Sequence, residues 1–278
     1  MNFIVLGHTG FIGAPLFARL VNEGYKVFGL NSTQILLGDQ YKINIKMRSE
    51  SNIFEEIKNY ITNETIVVNC IWGDLTYEKR NSNSHQYYLD LELDLINYLR
   101  ATDFKSYVSF GTIYEIYPFE SASSATSKYV MCKKQIKTYL EESDVPFSWI
   151  RLASVYGQND SKSRIIFQML NDKIKGIDTG LLFPHQVMNI YHIDNFLNTF
   201  IKFLLDQRFG AFTAISSSWV ELIAIKNAIR EMEEPVEVSK FPIHGELGSE
   251  QVIRVDPSSF LSFIREFEAR QSSTPVRH

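Results

Sequence analysis

Three glycines at fixed spacing, Gly7, Gly10 and Gly13, close the apolar run Phe3-Ile4-Val5-Leu6 and open a helical pattern. That order is strand, tight turn, helix. It brings backbone N–H groups and the positive end of a helix to a place where a pyrophosphate can sit. The spacing is G-x-x-G-x-x-G, not the commoner G-x-G-x-x-G. The first glycine permits the turn, the second lets backbone approach phosphates, and the third lets the helix pack closely on the sheet. His8, inside the loop, is expected to face solvent. An ordinary glycine-rich turn has the same local look, so the reading depends on what lies downstream.

Strands at 2–6, 26–30, 42–45, 65–71, 106–110 and 147–152 alternate with helices at 11–23, 51–61, 86–101 and 128–142. The first helix carries Ile12, Leu16, Phe17, Leu20 and Val21 on one stripe, with Pro15 in its first turn, where a missing N–H costs little. The long helix at 86–101 carries Tyr88, Leu91, Leu95, Tyr98 and Leu99 on one face. Such alternation predicts an α/β fold with a doubly wound parallel sheet covered on both faces. Beyond about residue 156 the pattern changes to helices at 162–175, 193–205, 218–232 and 260–267, with an irregular or extended 181–191. Ser258, after Asp256-Pro257, is placed to cap the last of these. Residues 1–156 are therefore assigned to dinucleotide binding, with 187–215 returning to that domain. Residues 157–186 and 216–278 form a smaller C-terminal substrate-binding region.

Composition excludes several classes. The net charge is −4 and no basic block stands out, so nucleic acid is not an expected partner. No stretch is long and apolar enough to span a membrane, and the N-terminus reads as a strand, not a signal peptide. The two cysteines, Cys70 and Cys132, make no C-x-x-C and there is no H-E-x-x-H, so no metal site is expected. Both cysteines are expected to pack inside, and a reducing cytoplasm is the expected location.

Tyr129 and Lys133, four apart on a predicted helix, share a face one turn from each other. A phenol with a pKa of about 10 is a poor proton donor at neutral pH; bringing it near 7 costs roughly 4 kcal/mol. An ammonium about 4 Å away supplies about that much at an effective dielectric of about 20. The pair can therefore exchange a proton without a metal.

With the glycine loop and the Tyr–Lys pair in hand, the chain resembles the extended short-chain dehydrogenase/reductase family of nucleotide-sugar epimerases, dehydratases and ketoreductases. The resemblance also covers Asn69-Cys70-Ile71-Trp72, Ser109-Phe110-Gly111-Thr112-Ile113-Tyr114, Arg151 to Gly157, Asn189 to Asp194, and Asp256-Pro257-Ser258. It implies a Rossmann sheet, a nicotinamide dinucleotide, and a tyrosine that exchanges a proton with a carbonyl or hydroxyl oxygen. The lysine also holds the nicotinamide ribose. The dinucleotide contacts it implies are Gly7, Thr9, Gly10, Phe11, Ile12 and Gly13, then Asn31, Ser32, Asn44, Ile45, Cys70, Ile71, Trp72 and Leu152, together with Tyr129 and Lys133. The hydroxyl usually found four residues before Tyr114 is replaced by Phe110. Thr112, two residues on and on the same side of a regular strand, takes its place as a catalytic candidate, with Ser109 the weaker substitute. A strand-end hydroxyl bonded to backbone is the competing reading of Thr112.

After the second strand, relatives specific for NAD carry an acid; here Asn31-Ser32 stands instead. This neutral pair favours NADPH, with NADH possible, or it simply makes a turn. Ser154, Lys162 and Arg164 are the implied contacts of a nucleotide-sugar substrate, and Met188 replaces a frequent arginine. Asp194, beside His192, is expected to cap the following helix. The Asp-Glu pair of dehydratases is absent: its slots read Gly111-Thr112. The reading is thus a reductase of a nucleotide-linked 4-keto-6-deoxy sugar, in deoxysugar and surface-polysaccharide (O-antigen) synthesis. An epimerase and a non-catalytic dinucleotide-binding regulator stand as alternatives. Relatives commonly form homodimers through the helices near 86–101 and 128–142.

Overall fold

The structure, a computed structural model, describes residues 1–31, 34–39, 42–47, 53–76, 78–116, 127–161, 164–178, 180–235, 237, 251–256 and 259–273. The chain divides into two units, Met1–Leu152 with Ile201–Thr213, and Ala153–Phe200 with Ala214–His278.

In the first unit, β1 (Asn2–Leu6) lies at the centre of the sheet, parallel to β2 (Lys26–Leu30) on one side and β5 (Thr65–Asn69) on the other. β6 (Ser106–Thr112) and β7 (Phe147–Leu152) continue the parallel order beyond β5. Phe3 to Leu6 and Ile66 to Val68 are buried, the uninterrupted apolar runs of strands covered on both faces. The helices that follow the strands are α1 (Gly13–Asn22), α2 (Ile53–Lys58), α3 (Ser84–Arg100) and α4 (Lys128–Glu142). One core gathers Ile4, Leu6, Val67, Ile96, Leu99 and Ile136 from strands and helices alike. This is the α/β fold with a large, mostly parallel sheet that the alternation predicts.

One edge departs from it. β3 (Gln34–Asp39), unassigned by the sequence reading, pairs antiparallel with β2, and β4 (Lys42–Met47) pairs antiparallel with β3. The cause is local. The Asn31 N–H donates to the Gln34 carbonyl at 3.1 Å, and the Asn31 carboxamide oxygen accepts from the Gln34 N–H at 2.6 Å. That reversal sends the chain straight back along β2, leaving no room for a crossover helix. Within the unit the strand order runs β10-β7-β6-β5-β1-β2-β3-β4, where β10 is Gly210–Ile215 and its last residues belong to the second unit.

In the second unit, β9 (Val187–His192) lies between β8 (Ser154–Tyr156), parallel to it, and β11 (Trp219–Glu221), antiparallel. Helices α5 (Ile165–Lys175), α7 (Leu222–Glu231) and α8 (Phe260–Ser273) bury Met169, Leu170, Ile225, Ile229, Phe263 and Ile264 in a core of their own. β12 (Gln251–Arg254) is followed by Val255, whose N–H donates to the Ile215 carbonyl. α6 (Ile193–Leu205) buries Phe196, Leu197, Phe200 and Ile201, the stripe its periodicity predicts. Ser258 lies outside the described residues, and the capping hydroxyl is Ser259, which accepts from the Ser262 N–H at 3.1 Å. The Glu234 carboxylate takes the N–H groups of Phe260 and Leu261 at 3.0 and 3.1 Å. No helix among the described residues is long and apolar enough to cross a membrane.

Ile96, fully buried where α3 meets the sheet, tests the first core. Ile96→Ala should lower unfolding stability by about 2–5 kcal/mol. Urea denaturation with an unchanged slope checks it.

Candidate active site

The glycine loop is built as its spacing predicts. Gly7 has φ +76°, a conformation costly for residues with a side chain, and a Cβ there would sit 3.0 Å from the Cys70 backbone. Its N–H donates to the Leu30 carbonyl at 2.7 Å, and the Gly10 N–H returns to the Gly7 carbonyl at 2.9 Å. A Cβ on Gly13 would collide with the Gly7 carbonyl, so the start of α1 presses directly on the turn. No side chain caps α1 at Ile12, and its first turn holds no acid. The positive end of the helix is therefore left for an anion. These features fit a dinucleotide pyrophosphate.

Asn31 does more than turn the chain. Its amide nitrogen donates to the Thr9 hydroxyl at 3.2 Å, tying the exit of β2 to the loop. Ser32 lies outside the described residues, as do the side chains of Asn44 and Ile45 on β4. His8 corrects an expectation: it is 4% exposed, not solvated. Gly29 makes the room, since a Cβ there would collide with the imidazole, and Phe17 covers the ring at 5.7 Å between centroids. Burial lowers the His8 pKa, and the Leu30 carbonyl opposes this.

Beyond β5, the Asn69 carboxamide oxygen accepts from the Ile71 N–H at 3.0 Å, and Cys70 and Trp72 follow toward the loop's end of the sheet. Cys70 is half-buried by surface, while its thiol is enclosed and pushed up to about 12 by burial. Cys132 packs in the core, as expected. The Trp72 indole N–H donates to His85 Nδ1 at 3.2 Å, and His85 Nε2 meets the Lys79 carbonyl at 3.0 Å. Since Nδ1 accepts, bonding assigns the proton to Nε2 and leaves the ring neutral. Burial lowers the His85 pKa and keeps it so.

Ser127 caps α4 through the Val130 N–H. The Tyr129 N–H donates to the Arg80 carbonyl at 3.0 Å, and the Lys128 N–H to the Asn81 side chain at 3.1 Å. The turn before α3 is thereby joined to the first turn of α4. Tyr129 is half-buried, its ring 5.4 Å from His85 and 5.9 Å from Trp72. One turn on, Lys133 is 3% exposed. Its ammonium lies 3.6 Å from the Trp72 ring centroid, 5.5 Å from that of Trp149, and 3.8 Å from a Glu92 carboxylate oxygen. Burial lowers the Lys133 pKa, and the Glu92 charge opposes it.

Thr112 ends β6 and is buried. Its hydroxyl accepts from the Tyr114 N–H at 3.4 Å, while its own N–H donates to Glu115 Oε1 at 2.7 Å, closing a capping box around Ile113–Glu115. The other Glu115 oxygen takes the Trp149 indole N–H at 2.9 Å and Arg151 Nε at 3.1 Å. Ser109 faces the opposite way and is bonded to Glu92. Glu92, His85 and Glu115 escaped the sequence reading. Glu92 had a legible signal: Leu89, Glu92, Ile96 and Leu99 form the buried face of α3, a lone acid on an apolar stripe. Tyr88, Leu91 and Tyr98, read as part of that face, are only half-buried.

Leu152 ends β7. In the second unit, Ser154 begins β8, paired with Ile190, and Met188 is buried on β9. Arg164, at the start of α5, reaches Asp160 at 3.3 Å. Asp194 stands in the first turn of α6, beside His192. Lys162 lies outside the described residues.

A model of the NAD dependent epimerase/dehydratase family matches residues 3–207. The chain belongs to this family. Among curated proteins, CDP-abequose synthase of Salmonella muenchen is 25% identical over 219 residues, 76% of this chain and 72% of that one. Among solved structures, a UDP-N-acetylglucosamine 4-epimerase from Methanobrevibacter ruminantium, in complex with UDP-N-acetylmuramic acid, matches at TM-score 0.70 and 15% identity. That match covers 97% of this chain and 98% of that one. UDP-glucose 4-epimerase of Thermus thermophilus, in complex with NAD, matches at TM-score 0.69 and 15% identity over 99% and 100% of the two chains. Members of the family are NAD-dependent enzymes acting on nucleotide sugars, and the chain shares their fold.

The loop and the two buried histidines, His8 and His85, can be tested directly. Gly13→Ala should force the Gly7 carbonyl aside and abolish dinucleotide binding in a fluorescence titration, while circular dichroism stays native. His8 and His85 both bind protons less readily folded than unfolded. Stability should thus be full above the unfolded histidine value of about 6.5 and decline as pH drops below it. His85→Gln should flatten that decline in melting temperatures measured across pH.

Proposed function

We propose that the chain is an NADPH-dependent reductase of a nucleotide-linked 4-keto-6-deoxy sugar. The observation that carries this reading is the state of the acids beside Thr112. Gly111 and Thr112 offer no carboxylate for removing water, and the nearest acid, Glu115, has both oxygens engaged. What remains with proton chemistry is Tyr129 with Lys133. The similarity to CDP-abequose synthase, whose name gives a CDP-linked sugar as product, supports the substrate class. The absence of an acid at Asn31 supports NADPH over NADH.

The dinucleotide, when bound, supplies hydride to C4 of the sugar. The glycine loop and the first turn of α1 hold its pyrophosphate, and Asn31 meets the adenosine ribose side. Tyr129 donates its phenolic proton to the carbonyl oxygen as charge develops there. Lys133 keeps that phenol acidic and bonds the nicotinamide ribose. Trp72 shields the ammonium from water, which strengthens its effect on the phenol. Thr112, its oxygen engaged as an acceptor, retains a proton to donate to the substrate oxygen. Ser154 and Arg164 are assigned to the nucleotide sugar, with Arg164 suited to its diphosphate. Tyr87 and Met131, exposed on α3 and α4, fit a homodimer formed through those helices.

Tyr129→Phe should lower kcat by about 10²–10⁴-fold and leave NADPH affinity within a few-fold. NADPH oxidation with CDP- and dTDP-linked 4-keto-6-deoxy sugars measures the first, and fluorescence titration with NADPH against NADH the second. A fully active variant would reject the assignment. Since burial lowers the Lys133 pKa, activity should fall on the alkaline side earlier than for an ordinary lysine.

A further inference from the structure

We propose that Glu92 is the positioning residue for Lys133, supplying the counter-charge that keeps the ammonium protonated and aimed without taking any of its hydrogen bonds. The proposal rests on the reading of Tyr129 and Lys133 as the proton-handling pair. Both side chains of the new pair are largely withdrawn from solvent, 4% exposed for Lys133 and 2% for Glu92. Glu92 Oε1 accepts from the Tyr107 hydroxyl at 2.8 Å and from Ser109, and the Tyr107 hydroxyl in turn accepts from Asn69 at 3.1 Å. The carboxylate is therefore clamped on its far side and cannot swing.

Its near oxygen, Oε2, faces Lys133 Nζ at 3.8 Å and has no hydrogen-bond partner among the described residues. That distance is too long for a hydrogen bond but short for a charge pair. Among the described residues, Nζ donates none of the hydrogen bonds found. Its N–H groups thus remain unspent, available to a ribose hydroxyl and to the phenol oxygen. The Arg151–Glu115 pair is different: it is in direct contact at 3.1 Å, with its acceptors filled. The one locks structure; the other supplies charge across a gap. The titratable groups whose charges act on the ammonium are Glu92 from α3, Glu115 from the turn after β6, Cys132 from its own helix and Cys70 from beyond β5, with His85 nearby. Burial costs the charged form its hydration, and of these groups Glu92 opposes that cost most.

Trp72 and Trp149 flank the ammonium, so tryptophan emission of the full chain without dinucleotide reports its titration. The wild type should show an alkaline transition that Lys133→Met removes, while the acid-side transition of His85 persists. Glu92→Gln, which keeps an oxygen for Tyr107 and Ser109 but loses the charge, should move the transition down by at least one pH unit, about a tenfold loss of proton affinity. The alkaline limb of kcat should move with it, and Glu92→Asp should restore most of the shift. An unmoved emission midpoint in Glu92→Gln overturns the proposal. An active Tyr129→Phe enzyme would instead overturn the catalytic reading and leave the emission result standing. Should Glu92→Gln unfold, adding Lys133→Met should recover the melting temperature, because the orphaned charge is gone; no recovery also overturns the proposal.

Discussion

A desolvated ammonium sets the conditions for the rest of the first unit. Lys133 has left water for a space walled by Trp72, Trp149 and Glu92. An isolated buried cation loses its proton, so the surroundings must favour the charge by other means. Two indole faces and one carboxylate do that here, and each is fixed by a partner outside the space. Trp72 is held by His85, Trp149 by Glu115, and Glu92 by Tyr107. The supports are His85 on α3, Tyr107 on β6 and Glu115 in the turn that follows β6.

The glycine loop meets the same end of the sheet. Gly7 bonds to the last residue of β2, and the Cys70 N–H donates to the last carbonyl of β1 at 2.9 Å. The loop and the Trp72 segment are thus fastened to adjacent strands, β1 and β5. The N-terminus of α1 and the Trp72 segment that meets Lys133 are set at a fixed separation by strand pairing.

Much of this was legible in the sequence, and for identifiable reasons. The loop, α4 with Tyr129 and Lys133, β1 and β7 follow from glycine geometry and strong apolar periodicity, which depend on neighbours in the chain. The β2–β3 reversal was hidden because its cause is one asparagine bonding to Gln34, a signal confined to a single short turn. His8 was misplaced because the space it fills is created by Gly29 on another strand. The roles of His85 and Glu115 were hidden too, since their partners lie in other segments: Trp72 for one, Trp149 and Arg151 for the other. Glu92 was visible as an acid on an apolar stripe, but its meaning required knowing that Lys133 lay opposite.

The join between Arg80 and Tyr129 has a further consequence. It is made by main chain alone at that point, a carbonyl meeting an amide. At position 80 the backbone sets the register of the Tyr129 ring, while the Arg80 side chain lies over the Tyr114 ring, its guanidinium carbon 4.9 Å from the ring centroid. Two segments far apart in the chain thus meet at one residue of that turn, one through main chain and the other through a cation resting on an aromatic face.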